Sequence, residues 1–345
     1  MPASTAVESH DEPIAPAPTA RRAWIWAGLV VIACVQPLAQ LLSRQHWRAD
    51  LLSHFPEPAL VYIFVLLAIA VRRRPRLAVA LALLAAWQAA AVFRYAHSNP
   101  AIPDPNSHER LKVLMANVFV ENNRYEDLAR LIRQEQPDIV ALVEYSHAWQ
   151  EGVDAIRKEF SEVAEFPDGA AGLALWFRRP PRSISPATRL RGGDRPFLHA
   201  SFEFAGSERH LFLLHPRQPF DLLSRQPGNP ELAALGREIK RVGGSCIVTG
   251  DFNTSDGSSN FAAFVRETGL RDSRFGFGRQ GSFPTSSPYR IAIDHALVPP
   301  DLAVVERRLG PSIGSDHYPL IFVLAPASDR KSATTSPTRS SHKSP

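Results

Sequence analysis

The chain has 345 residues, with 39 Lys and Arg against 34 Asp and Glu, and a pI of about 9.5. This length allows one large domain or two ordinary ones and is enough for a sizeable hydrophobic core. The only two cysteines, Cys34 in an apolar run and Cys246 at the start of a predicted strand, exclude a disulfide framework.

The basic excess lies outside the predicted soluble domain. Residues 107–324 contain 26 Lys and Arg against 27 Asp and Glu, so this part of the chain is close to neutral. Most of the other cations flank apolar segments or lie near the C-terminus: Arg21, Arg22, Arg72, Arg73, Arg74, Arg76, Arg94, Arg330, Lys331, Arg339 and Lys343. The high pI therefore relates to membrane topology and does not indicate a nucleic-acid-binding face.

The two ends of the chain have the composition of disordered segments. Residues 1–20 and 326–345 are rich in Pro, Ala and Ser and lack any apolar period. Such segments cannot bury enough apolar surface to fold, so we predict a disordered leader and a disordered tail.

Three apolar segments follow the leader, at about residues 23–42, 55–71 and 77–93. A helix needs about 20 apolar residues to cross a bilayer, with about 17 as the lower limit. The first and third segments reach this length, whereas the second does so only when residues 55–58 are included. We predict a membrane anchor over residues 21–95 with three transmembrane helices, which bind the lipid bilayer.

Other functions of the apolar segments are less consistent with the sequence. A signal peptide starting at Arg21 and ending in a lipoprotein-like box at Cys34 should not be followed by two further apolar segments. Core helices of a soluble domain would show a polar face, and a transporter or channel would show ionisable residues in the apolar interior. A membrane anchor requires neither a polar helix face nor ionisable residues in its apolar interior.

Arginines predict the orientation of the three helices. Arg21 and Arg22 precede the first segment, and residues 72–76 (RRRPR) separate the second from the third. Basic residues favour the cytoplasmic side, so three crossings place everything after Phe93 outside the cytoplasm. We therefore expect a multi-pass protein of a bacterial-type inner or plasma membrane.

A Pro-rich linker, residues 96–109, leads into alternating strand and helix patterns over residues 110–325. The helix is predicted at RYEDLARLIRQEQ. Strands are predicted at LKVLMANVFV, PDIVALVEY, GLALWFRR, FLHASFEF, RHLFLLHP, CIVTGDF, IDHALVP and PLIFVLA. Many strands and few helices favour an α/β domain of two packed sheets flanked by helices.

Polar residues recur where these apolar strands end or begin. They are Asn117, Glu144, His215, Asp251, Asn253 and Asp294, together with Asp316 and His317 before the last strand. Each residue alone fits a turn or a hydrogen-bonded core position. Together they fit phosphate-ester hydrolysis, in which carboxylates hold a hard cation such as Mg²⁺, an Asp activates water, and Asn and His donate to phosphoryl oxygens.

Five motifs carry a family resemblance: ANVF, PDIVALVEY, GDFN, IDHAL and GSDHYP. In this order they resemble the endonuclease/exonuclease/phosphatase family, which includes DNase I-like nucleases, abasic-site endonucleases, inositol polyphosphate phosphatases and neutral sphingomyelinases. The resemblance covers about residues 110–325. It implies a DNase I-like fold, a four-layer sandwich of two mixed β-sheets flanked by helices.

The resemblance also implies a metal site that takes Mg²⁺ or Mn²⁺. Glu144 matches the metal-binding glutamate, Asn117 matches the Asn that helps to order the ligands, and Asp316 would contribute beside them. Some family nucleases carry an acidic residue two positions after the first Asn, where this chain has Phe119. That difference favours one metal ion and leaves their number open.

The remaining matched residues are expected to act on the phosphate. Asp251 would align or activate water, Asn253 would hold the developing charge, and His215 would be directed at the phosphate. Asp294 would support His317, which would stabilise the charge of the transition state. Because residues two apart on a strand share a face, we expect Asp251 and Asn253 to point the same way.

The sequence thus favours a membrane-anchored, metal-dependent hydrolase of a phosphodiester, acting as a monomer. The substrate stays open between nucleic acid, a phospholipid headgroup and another phosphate ester. The near-neutral domain disfavours nucleic acid, because tracking a polynucleotide requires a basic groove. The alternative is a catalytically silent, membrane-tethered binding module with the same fold.

Overall fold

The computed structural model describes residues 18–97, 101–189, 195–218 and 229–328. The predicted disordered leader and tail lie almost wholly outside these residues. The first helix begins at Pro18 and the last strand ends at Pro326. Cys34 and Cys246 are both free thiols, as expected.

The N-terminal part is helical and consists of α1 (Pro18–Leu42), α2 (Trp47–Ser53), α3 (Pro56–Arg73) and α4 (Pro75–His97). Two stretches within α1 and α4, Ala23–Leu42 and Pro75–Ala96, are long and apolar enough to cross a membrane. Helices α2 and α3 meet at a bend of 71° and form a third candidate when they are taken together. Helix α4 continues to His97, so it occupies the first residues of the predicted linker.

The N-terminal helices α1, α3 and α4 pack on one another through small and branched side chains, among them Ala33, Ile63 and Ala70. Their outward surface is apolar as well. Phe64 and Leu83 are 49% and 70% exposed, although both are strongly hydrophobic. An extended apolar surface of this kind is typical of helices that face lipid.

The C-terminal part contains twelve strands within the described residues, namely β1 (Leu111–Asn117), β2 (Ile139–Val143), β3 (Glu162–Phe166), β4 (Leu173–Phe177), β5 (Ser183–Arg189), β6 (Pro196–Phe204), β7 (Ser207–Leu214), β8 (Ser245–Asp251), β9 (Arg271–Asp272), β10 (Asp294–Val298), β11 (Leu302–Leu309) and β12 (Leu320–Pro326). The helices beside them are α5 (Tyr125–Glu135), α6 (His147–Gly152), α7 (Asp154–Arg157), α8 (Pro230–Val242) and α9 (Ser259–Thr268).

The strands form two mixed sheets of six. One has the order β11-β12-β1-β2-β4-β3 and the other has the order β5-β6-β7-β8-β10-β9. Apolar residues from both inner faces fill the space between the sheets, for example Val113, Ile139, Leu211 and Ile247. Two further clusters lie under α5–α7 and under α8–α9. This arrangement is the predicted sandwich of two mixed sheets flanked by helices.

Parallel strand pairs at the centre of each sheet define one functional end of the sandwich. Strand β1 pairs parallel with β2, and β7 pairs parallel with β8. The carboxyl ends of parallel neighbours lie at the same edge of a sheet. The carboxyl ends of β1 and β2 therefore lie at one edge of the first sheet, and those of β7 and β8 lie at one edge of the second. We call these two edges together the catalytic edge.

Candidate active site

Asn117 links the two sheets at the catalytic edge. Its Nδ2 donates to Oε1 of Glu144 at 2.9 Å and to Oδ2 of Asp251 at 3.1 Å. Its Oδ1 accepts from the backbone N–H of Phe119 at 2.9 Å, which fixes the amide orientation. Both carboxylates share one buried donor, so Asn117 orients them, as the family resemblance implies.

Glu144 directly follows β2 in a left-handed conformation, with φ of 58°. Its Oε2 accepts from the backbone N–H of Val120 at 3.2 Å, and its Oε1 lies 3.9 Å from Nε2 of His215. The side chain is nearly buried among these groups. An L-residue rarely adopts positive φ without support from its surroundings. The left-handed conformation of Glu144 thus directs its carboxylate to the centre of the catalytic edge.

Asp251 and Asn253 are held together by a turn and not by a strand. Strand β8 ends at Asp251, and Asn253 has a φ of 50°. The backbone N–H of Asn253 donates to Oδ1 of Asp251 at 2.8 Å, as in an Asx turn. Strand alternation is therefore the wrong reason for their proximity. Phe252 is fully buried beneath α9, as expected.

Gly250 is required by the backbone next to Asp251. Its φ is 146°, and a Cβ atom there would lie 2.0 Å from the carbonyl oxygen of Leu214. No side chain can occupy that space while Leu214 and Gly250 stay paired between β7 and β8. The close approach brings the end of β7 next to Asp251.

His215 is a neutral imidazole on one side of Asp251. Its Nδ1 lies 3.1 Å from the carbonyl oxygen of Ala170, and its Nε2 lies 3.0 Å from Nδ2 of Asn253. The Nδ1–H therefore donates and Nε2 accepts. Burial, followed by the nearby charge of Arg195, lowers the pKa of His215 to about 3.

His317 is a charged imidazole on the other side of Asp251. Burial alone would lower its pKa, but the carboxylates of Asp294 and Asp251 outweigh burial and raise the pKa to about 10. Its Nδ1 lies 2.7 Å from Oδ2 of Asp294, which also accepts from the hydroxyl of Ser282. The ring centroid of Phe283 lies 4.7 Å away, which keeps His317 in place.

Asp251 lies between the two histidines. Its Oδ2 is 3.6 Å from Nε2 of His215 and 3.6 Å from Nε2 of His317. Burial is the largest influence on this carboxyl and raises its pKa to about 7, although His317 acts in the opposite direction. A carboxyl with such a pKa can exchange a proton near neutral pH.

Asp316 lies at the rim of this group and is partly exposed. Burial raises its pKa, with the nearby carboxylate of Glu144 acting in the same direction. Its Oδ1 is 3.5 Å from Oγ of Ser315. The structure thus brings all eight predicted site residues to one end of the sandwich, with seven near the centre and Asp316 at its border.

The donor set fits a hard divalent cation. Among the described residues, oxygen atoms of Asp251 and Asp294 and a ring nitrogen of His317 lie within 4.8 Å of one another, although His317 could bind a cation only after it loses a proton. The Oδ1 atom of Asp294 is buried without a hydrogen-bond partner in the described part of the chain. Glu144 and Asp316 add two more carboxylates nearby. Clustered carboxylate oxygens of this kind are the ligands that Mg²⁺ and Mn²⁺ prefer.

Two serines support the site and were not predicted individually. The Oγ of Ser315 donates to the backbone oxygen of Asn117 at 2.7 Å and accepts from the N–H of His317 at 3.1 Å. Ser282 donates to Asp294. Ser315 belongs to the GSDHYP motif, which could have identified it. Ser282 stands in a loop with no readable pattern.

Comparisons with known proteins agree with this geometry. Residues 116–317 match the Endonuclease/Exonuclease/phosphatase family, whereas no curated protein sequence matches the chain significantly.

Among solved structures, the sandwich is similar to D. rerio TDP2 humanized by 14 mutations, with 18% identity, a TM-score of 0.51, and coverage of 62% of this chain and 98% of that one. An endonuclease/exonuclease/phosphatase from Bacteroides vulgatus gives 18% identity and a TM-score of 0.52, with coverage of 63% and 99%. A functionally unknown conserved protein from Enterococcus faecalis V583 shows 17% identity and a TM-score of 0.51, with coverage of 63% of this chain and 100% of that one. The chain therefore belongs to the endonuclease/exonuclease/phosphatase family of hydrolases and has its DNase I-like fold.

Proposed function

We propose that this protein is a membrane-anchored, divalent-metal-dependent hydrolase of phosphodiesters. The observation that carries the proposal is the position of Asp251, with a neutral His215 and a charged His317 each 3.6 Å from the same carboxylate oxygen. A proton acceptor beside a cationic donor is what attack of water on a phosphate ester requires. A silent binding module would not need this difference in charge.

Asp251 is the group that takes a proton from the attacking water. Its pKa of about 7 makes it an acceptor at neutral pH that can later release the proton. His317, held by Asp294, donates its Nε2–H toward a phosphoryl oxygen whose charge grows in the transition state. Asn117 keeps Asp251 oriented by its hydrogen bond of 3.1 Å.

His215 and Asn253 position the phosphate side of the site. The Nδ2 of Asn253 donates both to His215 and to the carbonyl oxygen of Pro216, at 3.0 and 2.9 Å. Asn253 can donate to the phosphate by exchanging one of these bonds, while His215 keeps the carboxamide in place.

A bound Mg²⁺ or Mn²⁺ would polarise a phosphoryl oxygen as a Lewis acid. Glu144 would hold it, Asn117 would orient Glu144, and Asp316 would lie beside it at the rim. The carboxylates of Glu144, Asp251 and Asp316 gather at the same edge, and this concentration of negative charge supports a cation in this place.

The N-terminal helices support attachment to a membrane. Helices α1 and α4 are long and apolar enough to cross, and their outward side chains are exposed. The basic residues 72–76 join α3 to α4, whereas the opposite helix ends adjoin the catalytic domain. Basic loops favour the cytoplasm, which supports a domain on the outer side.

Hydrolysis of bis-p-nitrophenyl phosphate by the full chain in detergent tests this function. We expect turnover with Mg²⁺ or Mn²⁺ and its loss in EDTA. His317→Ala should lower turnover on the order of 100-fold or more, whereas Glu208→Gln at an exposed site serves as the matched control. Equal turnover in EDTA, or an unaffected His317→Ala variant, would contradict the proposal.

A further inference from the structure

The anchor contacts the active-site loop directly. The loop over residues 254–258 follows Asn253, and its Ser255 donates its N–H to Nδ1 of His54 at 3.3 Å while its Oγ lies 2.8 Å from the same atom. Ser258 donates to the carboxylate of Asp50. Two residues of chain span at most about 7 Å, so Ser255, which the anchor contacts, lies within that distance of Asn253.

A second active-site loop contacts the same part of the anchor. The hydroxyl of Tyr289 donates to Oε2 of Glu57 at 2.8 Å, and its ring stacks on Phe55 at 6.1 Å. The same loop carries Ser282 and Phe283, which contact Asp294 and His317. Both loops that border the catalytic edge therefore rest on the turn between α2 and α3.

The end of α4 completes this contact with buried charges. The hydroxyl of Tyr95 donates to Oδ2 of Asp272 at 3.1 Å and accepts from the fully buried Arg274 at 3.0 Å. Arg274 also donates to Oδ1 of Asp256 at 3.0 Å. Separation of the two parts would leave these buried charged groups without the hydroxyl of Tyr95 as a hydrogen-bond partner, so the contact opposes separation. The catalytic edge is thus fixed beside the outer ends of the anchor helices.

Helix α2 lies between the catalytic edge and an uncovered apolar surface. Two of its polar residues, Asp50 and Ser53, are buried against the catalytic domain together with His54. Leu52 on α2 and Phe55 just after it are instead 46% and 39% exposed. A helix that buries Asp50 and Ser53 in protein and turns Leu52 outward needs an apolar occupant on its outer side.

Lipid is the occupant that the surroundings of α2 favour. Helix α2 packs against α1 and directly precedes α3, and both of these helices have exposed apolar side chains, for example Leu41 and Val61. Arg44 and Arg48 are exposed at its start, and the guanidinium of Arg48 lies 5.1 Å from the ring centroid of Trp47. Tryptophan and basic residues are enriched where helices meet lipid headgroups.

We infer that α2 lies in the headgroup layer and holds the catalytic edge against the bilayer surface, so that the phosphodiester hydrolysed here belongs to a membrane lipid. The inference rests on the proposed function. Water adds to the phosphorus, one ester oxygen leaves with a proton, and no other reactant is needed. The near-neutral charge of residues 107–324 agrees with a small headgroup in preference to a polynucleotide.

The full chain is tested in vesicles of phosphatidylcholine and phosphatidylglycerol with Mg²⁺ or Mn²⁺, and its turnover of bis-p-nitrophenyl phosphate is measured in parallel. We expect release of the phosphatidylglycerol headgroup at least about tenfold faster than cleavage of soluble glycerophosphoglycerol or single-stranded DNA. Lipid left intact, or a soluble diester or DNA cleaved equally fast, overturns the inference while the proposed function stands. Failure on bis-p-nitrophenyl phosphate overturns the proposed function.

Leu52→Asp tests the surface on α2. We expect it to lower lipid turnover by about tenfold or more, because it removes apolar contact with lipid and adds a charge, without changing turnover of bis-p-nitrophenyl phosphate. Ile102→Asp is the matched control, since Ile102 is 72% exposed outside α2. An equal loss on both substrates would make Leu52 merely structural and overturn the assignment of α2 to the headgroup layer.

Discussion

The Nδ1 atom of His317 lies 2.7 Å from Oδ2 of Asp294, and both side chains are buried at the catalytic edge. This pair couples the charge of the imidazole to the carboxylate of Asp294, for which His317 is the nearest cationic group within the described part of the chain. Because the carboxylates of Asp294 and Asp251 raise the pKa of His317 to about 10, His317 is an imidazolium throughout the neutral range. The pH dependence of hydrolysis should report this coupling.

Asp294→Asn should move the alkaline limit of activity to lower pH. In the wild type, the imidazolium form persists below a pKa of about 10 and is lost as pH rises through that value. Without the carboxylate, burial dominates and the pKa of His317 falls. We expect turnover on the order of 100-fold lower at neutral pH, with a decline that begins at lower pH. A profile with an unchanged alkaline limit would contradict this coupling.

Asp251→Asn should stabilise the metal-free fold while it abolishes activity. Burial raises the pKa of Asp251 from 3.8 to about 7, so the folded chain binds the proton of this carboxyl more tightly than the unfolded chain does. That stability is present at low pH and is lost as pH rises through about 7. At pH above 7 in EDTA, the variant should therefore melt at a higher temperature than the wild type. Glu208→Gln, at an exposed site, should leave the melting temperature unchanged.

Gly250→Ala should destabilise the catalytic domain by roughly 3 kcal/mol or more, because the new Cβ meets the carbonyl oxygen of Leu214 at 2.0 Å. Gly269→Ala is the matched control. Its φ is also positive, at 69°, but a Cβ there meets nothing within 4 Å. The control should cost about 1–2 kcal/mol. Chemical denaturation measures the free energy of unfolding of both variants. Equal losses of stability would refute the idea that Gly250 is required by the close approach of the Leu214 carbonyl oxygen.

Glu144→Gln should weaken metal binding, because the amide keeps the size of the side chain but removes its charge. Asn117 and Val120 donate to different oxygens of Glu144, so the one oxygen of Gln keeps only one of these two hydrogen bonds. We expect the Mg²⁺ or Mn²⁺ concentration for half-maximal activity to rise by at least about tenfold. A titration curve that overlays the wild type would remove Glu144 from the metal site.

The orientation of the anchor can be measured with alkaline phosphatase fusions, which are active only outside the cytoplasm. A fusion to the end of the full chain should be active, and one that ends at Arg74 should be inactive, because residues 72–76 are predicted to be cytoplasmic. The opposite pair of results would show that the number of crossings is wrong. The expression level of each fusion is the control.

The sequence predicted the sandwich because its central strands are apolar and end in motifs. None of the four edge strands, β3, β5, β9 and β11, was predicted. Strand β5 is largely exposed and contains Pro186, and β11 is only partly buried, so neither shows the continuous apolar run of a central strand. Strand β9 has only two residues and carries no periodic signal.

Motifs predicted which residues approach one another at the catalytic edge, but not how they are oriented. The positive φ of Glu144 has no sequence signature, and although Asn tolerates positive φ, the turn at Asn253 replaces the alternation expected of a strand. The contact between the anchor and the loop over residues 254–258 was also not foreseen. Asp50 and His54 look like ordinary loop residues until the fold places Ser258 and Ser255 against them.

Strand β1 lies between β2 and β12, with Leu111 opposite Leu324. The first strand of the domain therefore cannot acquire both of its neighbours until the last strand has been synthesised. If the domain is exported as we propose, it crosses the membrane before this sheet is complete, and the open edge of β1 is exposed during translocation. Assembly of the first sheet at the outer surface must therefore follow the translocation of β12, which supplies the second neighbour of β1.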